Sequence, residues 1–311
     1  MEKKSELLVY LQLIMVQLIW GGAFIIGQLA LTKQPVMTTL IIRNLGVSLG
    51  FILILFCSKK HRWLMVPRAA IWPLLCMGFW GVVVYNVLVY WGLSLSSAIN
   101  ASLLIPTVQP LTTVLISRIK AIDSLSKSQY LGLLAGFLGA TATLTGDWSI
   151  HSNLHTMLGN MLLLLAAFSF SLYSILGKSV LNHLPSLHTT AYATIAGSLL
   201  FLSVSFLGDH QLILGHLTWD FGLYMSYLIG LGGVLSFLWW SQGVKYLGPS
   251  KTGMITLLMP PFALLIAVVV LQQSISLLQI TGIILSLLGV GLSTGLVNVS
   301  IPFFVAINKK G

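Results

Sequence analysis

Apolar residues in this chain come in long unbroken runs, with neither the two-residue alternation of strands nor the one-sided spacing of soluble helices. Ten runs stand out, at roughly 7–31, 36–57, 69–94, 97–119, 128–145, 156–177, 187–207, 219–243, 250–272 and 277–297. A helix crosses a bilayer core of about 30 Å with about 20 apolar residues, and each run is close to that length. The connections are short, so successive helices must lie side by side and antiparallel. A membrane barrel needs alternating segments of about ten residues, which are missing. The pattern predicts an all-α membrane protein with ten transmembrane helices. The first run follows "MEKKSE" and continues past Gly21-Gly22-Ala23. A signal peptide has an apolar core of only about 7–15 residues, so this run is read as a retained helix.

Composition agrees: 57% of the 311 residues are hydrophobic and 7% charged, where soluble domains carry about 25% charge. The net charge of +10 changes the picture only through its placement. With the N-terminus in the cytoplasm, that side receives Lys3, Lys4, Lys59, Lys60, Arg62, Arg68, Arg118, Lys120, Lys127, Lys178, Lys245, Lys251, Lys309 and Lys310. The other side receives Lys33 alone. That bias orients helices in a bilayer, so it predicts both termini inside and excludes nucleic acid as the partner. The expected location is the cell (inner) membrane. Cys57 and Cys76 offer neither a disulfide framework nor a metal spacing.

The two halves echo each other. "YWGLSLSSAINASLLIPTVQPL" (Tyr90–Leu111) is answered by "SQGVKYLGPSKTGMITLLMPPF" (Ser241–Phe262), so that Gly92 matches Gly243 and Pro110 matches Pro261. Downstream, Gly132 matches Gly282. Five helices per repeat is an odd number, so the repeats must enter the membrane in opposite directions, the build of many secondary transporters. The expected boundaries are 1–145 for the first repeat, 146–297 for the second and 298–311 for a short cytoplasmic tail.

These residues resemble the drug/metabolite transporter superfamily, in particular its EamA-type members. That resemblance implies ten helices in two inverted five-helix repeats, with a Trp-Gly pair in the first helix, an Arg in the second and a Glu after the fourth. "QLIWGGAF" (Gln17–Phe24) and Arg43 fit, and Asp123 stands where the Glu is expected. In the second repeat Phe168-Ser169 replaces the Trp-Gly pair, Ala193 the Arg and Gln273 the acid.

Candidate chemistry is sparse. "LGLLAGFLGA" (Leu131–Ala140) and "GVGLSTG" (Gly289–Gly295) put small residues on one helix face, which predicts close packing of the fifth and tenth helices. Such faces also allow self-association, so a monomer or weak homodimer is expected. Pro106 and Pro110 in the fourth helix, and Pro260 and Pro261 in the ninth, are expected to interrupt both at corresponding places. Trp20, Gly22, Tyr85, Asn86, Asn100 and Gln109 in the first half are taken as candidate lining of a substrate pore. Ser169, Tyr173, Trp239, Gln242 and Thr256 are their companions in the second half, with Ser171 and Trp240 beside them. The pore is expected between the halves, walled by the first, third and fourth helices against the sixth, eighth and ninth. His151 and His155 are four apart but gain no further ligands, so no metal and no cofactor are expected. "GPSKTG" lacks the ending of a phosphate loop.

Arg43 is the only formal charge well inside a run. It lies about 10 Å into the second helix and costs several kcal/mol there. It either clamps another helix or receives the carboxylate of a substrate. All six acids lie at loops or helix ends, which disfavours proton coupling through a buried carboxylate. The sequence therefore predicts a transporter of small amphipathic metabolites, amino acids or related compounds foremost, working by export or exchange through alternating access. A lipophilic-drug efflux protein is the alternative; a membrane enzyme or scaffold is the reading from another class, and no catalytic cluster supports it. The expected partners are the substrate and membrane lipids.

Overall fold

The computed structural model describes residues 3–57, 63–123, 125–144, 153–207, 217–271 and 276–295. Ser124, Asp147, His151, Asp209, Gln273 and the expected tail at 298–311 lie outside the described residues. Ten helices follow in order: α1 Lys3–Leu31, α2 Val36–Cys57, α3 Arg68–Leu95, α4 Ala98–Ile119 and α5 Lys127–Leu144. The second set is α6 Leu154–Leu181, α7 Ser186–Leu207, α8 Trp219–Leu247, α9 at 249–271 and α10 Leu277–Thr294. Eight are long and apolar enough to cross a membrane uninterrupted. The other two are α5, which begins on Lys127-Ser128-Gln129, and α9, which changes helix type along its length.

The repeat is visible in the backbone. The turn "TKQP" (32–35) between α1 and α2 and the turn "NHLP" (182–185) between α6 and α7 make the same bonds. Lys33 and Gln34 N–H both reach Ala30 O, and Thr39 N–H reaches Pro35 O. In the second repeat His183 and Leu184 reach Val180 O, and Thr189 reaches Pro185 O. That register pairs Arg43 with Ala193. It also corrects the expected partner of Trp20-Gly21, which is Phe170-Ser171 rather than Phe168-Ser169.

Helices α5 and α10 pack antiparallel through their glycines. A Cβ on Gly132 would meet the backbone of Gly289 and Ser293, and one on Gly139 would meet that of Gly282 and Ser286. Removing Cβ atoms lets the backbones approach and gain dispersion contact where lipid offers no hydrophobic drive.

The proline expectation needs correction. Helix α4 runs unbroken through Pro106 and Pro110. Pro110 has no N–H, which leaves Pro106 O without its usual donor four residues on. The Thr256 hydroxyl of α9 stands 3.1 Å from that oxygen, its single proton shared with Gly253 O at 2.6 Å and Gln109 Oε1 at 3.1 Å. Only α9 changes geometry. Pro260 withdraws the donor for Thr256 O, and the chain tightens to a 3₁₀ turn over Ile255–Leu258, whose Met259 N–H reaches Thr256 O instead.

At the end of the bundle rich in lysine and arginine, Gly248 joins α8 to α9 at φ +86. A side chain there would be strained, and its Cβ would lie 2.8 Å from the Asp123 carboxylate. That carboxylate, from the loop after α4, accepts from Ser250 N–H at 3.0 Å and so caps the first turn of α9.

Candidate functional site

Helices α1, α2, α3 and α8 converge on a narrow cavity with about 40 Å³ of free space. One wall is polar and comes from the first repeat. Arg43 of α2 is 8% exposed, and its Nη1 donates to Asn86 Oδ1 of α3 at 2.7 Å. The guanidinium carbon stands 5.9 Å from the centre of the Tyr90 ring. Asn86 is held by its own helix, because Nδ2 donates to Val82 O at 2.8 Å, one turn back. That bond assigns the amide its orientation and leaves Oδ1 toward the arginine.

Beyond Arg43 a smaller space of about 10 Å³ is bounded by Asn44, Val82, Thr194 and Phe237. Asn44 Nδ2 is buried there without a hydrogen-bond partner. Among the described residues the only ion pair is the exposed contact of Lys33 with Asp220 at 3.6 Å, so Arg43 has no carboxylate beside it. A cation held at that depth by an amide and a ring alone leaves the cavity electropositive, because an uncompensated buried charge costs several kcal/mol.

The facing wall is aromatic. The Trp20 ring lies 5.3 Å from Trp240, 5.4 Å from Phe170 and 5.7 Å from Phe237, mostly edge-on. Tyr85 closes the group at 4.8 Å from Phe170. Pairs of this kind contribute about 0.5–1.5 kcal/mol each beyond their buried area, so the wall is stiff. Trp20 Nε1 donates to Gly232 O at 3.0 Å, and Trp240 Nε1 to Ser174 Oγ at 3.1 Å.

Of the residues expected to line a pore, the structure brings together Trp20, Arg43, Tyr85 and Asn86. Tyr173 stacks behind them on Phe170 at 5.3 Å, its hydroxyl buried without a partner. Gly22 lies outside the cavity, where a Cβ would come within 2.8 Å of the Tyr227 hydroxyl. Ser169 donates to Trp80 O at 2.6 Å, away from the cavity. Gln109 and Thr256 meet at 3.1 Å in the packed contact between α4 and α9. Asn100 sits at the start of α4, bonded to Ser96 Oγ at 2.9 Å. Trp239 and Gln242 are half-buried and do not border the cavity. The residues that border the cavity come from α1, α2, α3 and α8, while Phe170 of α6 and Trp240 of α8 pack against Trp20 without bordering it.

Sequence reasoning passed over Tyr90, Phe170 and Phe237. Two had signals: Tyr90 is one helical turn after Asn86, and Phe170 is the repeat partner of Trp20.

Two inverted five-helix repeats around a cavity bordered by helices of both define a secondary-transporter architecture. The chain belongs to the EamA-like transporter family, whose model matches residues 7–145 and 157–295. It is a multi-pass membrane transporter for a small-molecule substrate. It is similar to the uncharacterized transporter YyaM of Bacillus subtilis, 27% identical over 72% of this chain and 73% of that one. It is also similar to the uncharacterized transporter YetK of the same organism, 23% identical over 90% of this chain and 84% of the other. A solved crystal structure superposes with a TM-score of 0.67 over 90% of this chain and 96% of its own, at 19% identity, which speaks for the fold alone.

Proposed function

We propose that this chain is a cell-membrane carrier for small amphipathic metabolites bearing a carboxylate, amino acids or related compounds, moved by export or exchange. Both termini would lie in the cytoplasm, with repeats at 1–145 and 146–297. The observation that carries the reading is Arg43, buried at the cavity wall with a neutral amide as its hydrogen-bond partner and an aromatic wall opposite. A guanidinium pairs with a carboxylate through two parallel bonds, and the aromatic wall suits an apolar side chain. The cavity's 40 Å³ is well short of the roughly 300–1,000 Å³ of a ligand pocket. A substrate therefore needs a wider conformation, as alternating access supplies. No proton gradient should be required, because Glu6, Asp123 and Asp220 all lie at helix ends or loops.

The test is counterflow in liposomes with leucine and leucinamide, on wild type, Arg43→Gln and Arg43→Lys. Arg43→Gln should lose leucine flux and keep much of the leucinamide flux. Arg43→Lys keeps the charge without the planar fork and should fall between. Equal losses for both compounds, together with a lowered Tm, would make Arg43 a structural clamp and end the carboxylate reading. Sidedness is checked by cysteines at Ser94 and Ser179, exposed at opposite ends of the bundle, which should label from outside and inside respectively.

A further inference from the structure

The third helix of each repeat contains π-helical turns, Phe79–Val84 in α3 and Tyr227–Leu235 in α8. The Gly92–Gly243 match places these segments at overlapping positions of the two repeats. In such turns an amide reaches back five residues: Tyr85 N–H bonds Trp80 O, and Ser236 N–H bonds Leu231 O. These turns are rare and collect at functional sites. Each one here is also gripped from outside. Ser169 Oγ of α6 donates to Trp80 O at 2.6 Å, and Trp20 Nε1 of α1 donates to Gly232 O at 3.0 Å. Both donors sit on the first helix of the opposite repeat, at neighbouring positions of the repeat register.

We propose that Ser169 and Trp20 are positioning residues for transport, each pinning the π-helical turns of the opposite repeat's third helix, and that releasing these bonds lets α3 and α8 change their bend as access switches. The bonds cross between the repeats, so any motion of one repeat against the other loads them. They also differ. Trp20 and Gly232 both border the cavity, whereas Ser169 and Trp80 do not. On the reading of that cavity as the substrate site, an occupant acts directly on the α8 pin and reaches the α3 pin only through packing.

The test uses the full chain in liposomes with Cys57 and Cys76 replaced by serine. Spin labels at Trp72 and Ser94 flank the π turns of α3, and labels at Trp219 and Tyr246 flank those of α8. All four positions are exposed. Pulsed distance measurements should find two inter-arm distances in each helix. Ser169→Ala should change their ratio in α3 about fivefold, the worth of one net hydrogen bond, and move α8 little. Trp20→Phe, which keeps a ring and loses the donor, should do the converse. Leucine at saturation should move the α8 ratio in wild type and fail to do so in Trp20→Phe. Should Ser169→Ala not fold, Ser169→Cys, a weaker donor of similar size, should give a smaller shift of the same sign. A single distance in each helix that neither substitution moves overturns the proposal, as does a Ser169 substitution that acts on α8 as strongly as on α3. If both substitutions act as described and leucine moves nothing, the pins stand and the cavity reading falls.

Discussion

Replacing Asn86 by aspartate tests the electrostatics of the cavity with almost no change of shape. In the wild type Asn86 offers Arg43 a neutral acceptor at 2.7 Å, so the positive charge remains for an incoming group. Aspartate would turn that contact into an ion pair. At an effective dielectric of about 20, a carboxylate about 4 Å from the guanidinium centre interacts with it by about 4 kcal/mol. The same carboxylate, about 6 Å from an incoming one, repels it by about 3 kcal/mol, roughly a hundredfold in affinity. Asn86→Asp should therefore raise the apparent Kd for leucine about a hundredfold. Leucinamide, which has an amine and no carboxylate, should gain. Tm reports the balance between the ion pair gained and the Nδ2–Val82 O bond lost, since a carboxylate cannot donate to that carbonyl. Binding is read by scintillation proximity on purified protein, with Tm taken alongside. A leucine Kd within threefold of wild type, in a folded variant, would refute the account of Arg43 as an unneutralised charge facing the substrate.

Three further outcomes concern the frame around the cavity. Gly289→Val should be severely destabilising, because the added Cβ would collide with the backbone of Gly136 and overpacking costs about 1–3 kcal/mol or more; Gly222→Ala, with open space at its Cβ, should leave Tm unchanged. Thr256→Val should cost about 1–3 kcal/mol by removing the one hydroxyl proton that Gly253 O, Pro106 O and Gln109 Oε1 share, while Thr256→Ser keeps the donor and recovers most of the loss in thermal unfolding. Asp123→Ala should lower stability by about 0.5–2 kcal/mol through loss of the α9 cap, and Asp123→Asn should recover part of it; equal Tm for all three proteins would remove the cap from the account.

The helices were legible because lipid asks little of a sequence beyond length and apolarity. Arg43 was legible because a charge inside such a run cannot be accidental, and Tyr85 and Asn86 because polar groups at similar depth are few. Trp239 against Trp240 was not. A π turn inserts an extra residue, which rotates everything after it by about 100°. Counting faces along α8 at a regular helical period therefore fails downstream of Tyr227–Leu235, and the sequence, which offers both tryptophans, does not show that Trp240 is the one packed on Trp20. The prolines failed for a related reason. Sequence shows the missing N–H of Pro110 but not the Thr256 hydroxyl that approaches Pro106 O from the other repeat.

The uneven sharing of chemistry between the repeats has a packing cause. The backbone devices come in pairs: the four-residue turns, the π segments, and the contact of Val47 with Gly233 that mirrors Val82 with Gly197. Beside Ala193 the α3 residue is Gly78, and a Cβ there would come within 2.6 Å of Ala193 O. Helix α7 thus lies directly on α3, Ala193 is 0% exposed, and no long side chain fits. The repeat partner of Gly78 is Ile229, whose side chain fills the space over Gly46. It holds α2 off α8 and leaves room one turn away for Arg43. The glycine-to-isoleucine difference thus goes with a closed contact in one repeat and an open one in the other. On the carboxylate reading proposed above, one charged wall and one aromatic wall would give an amphipathic substrate a single preferred orientation.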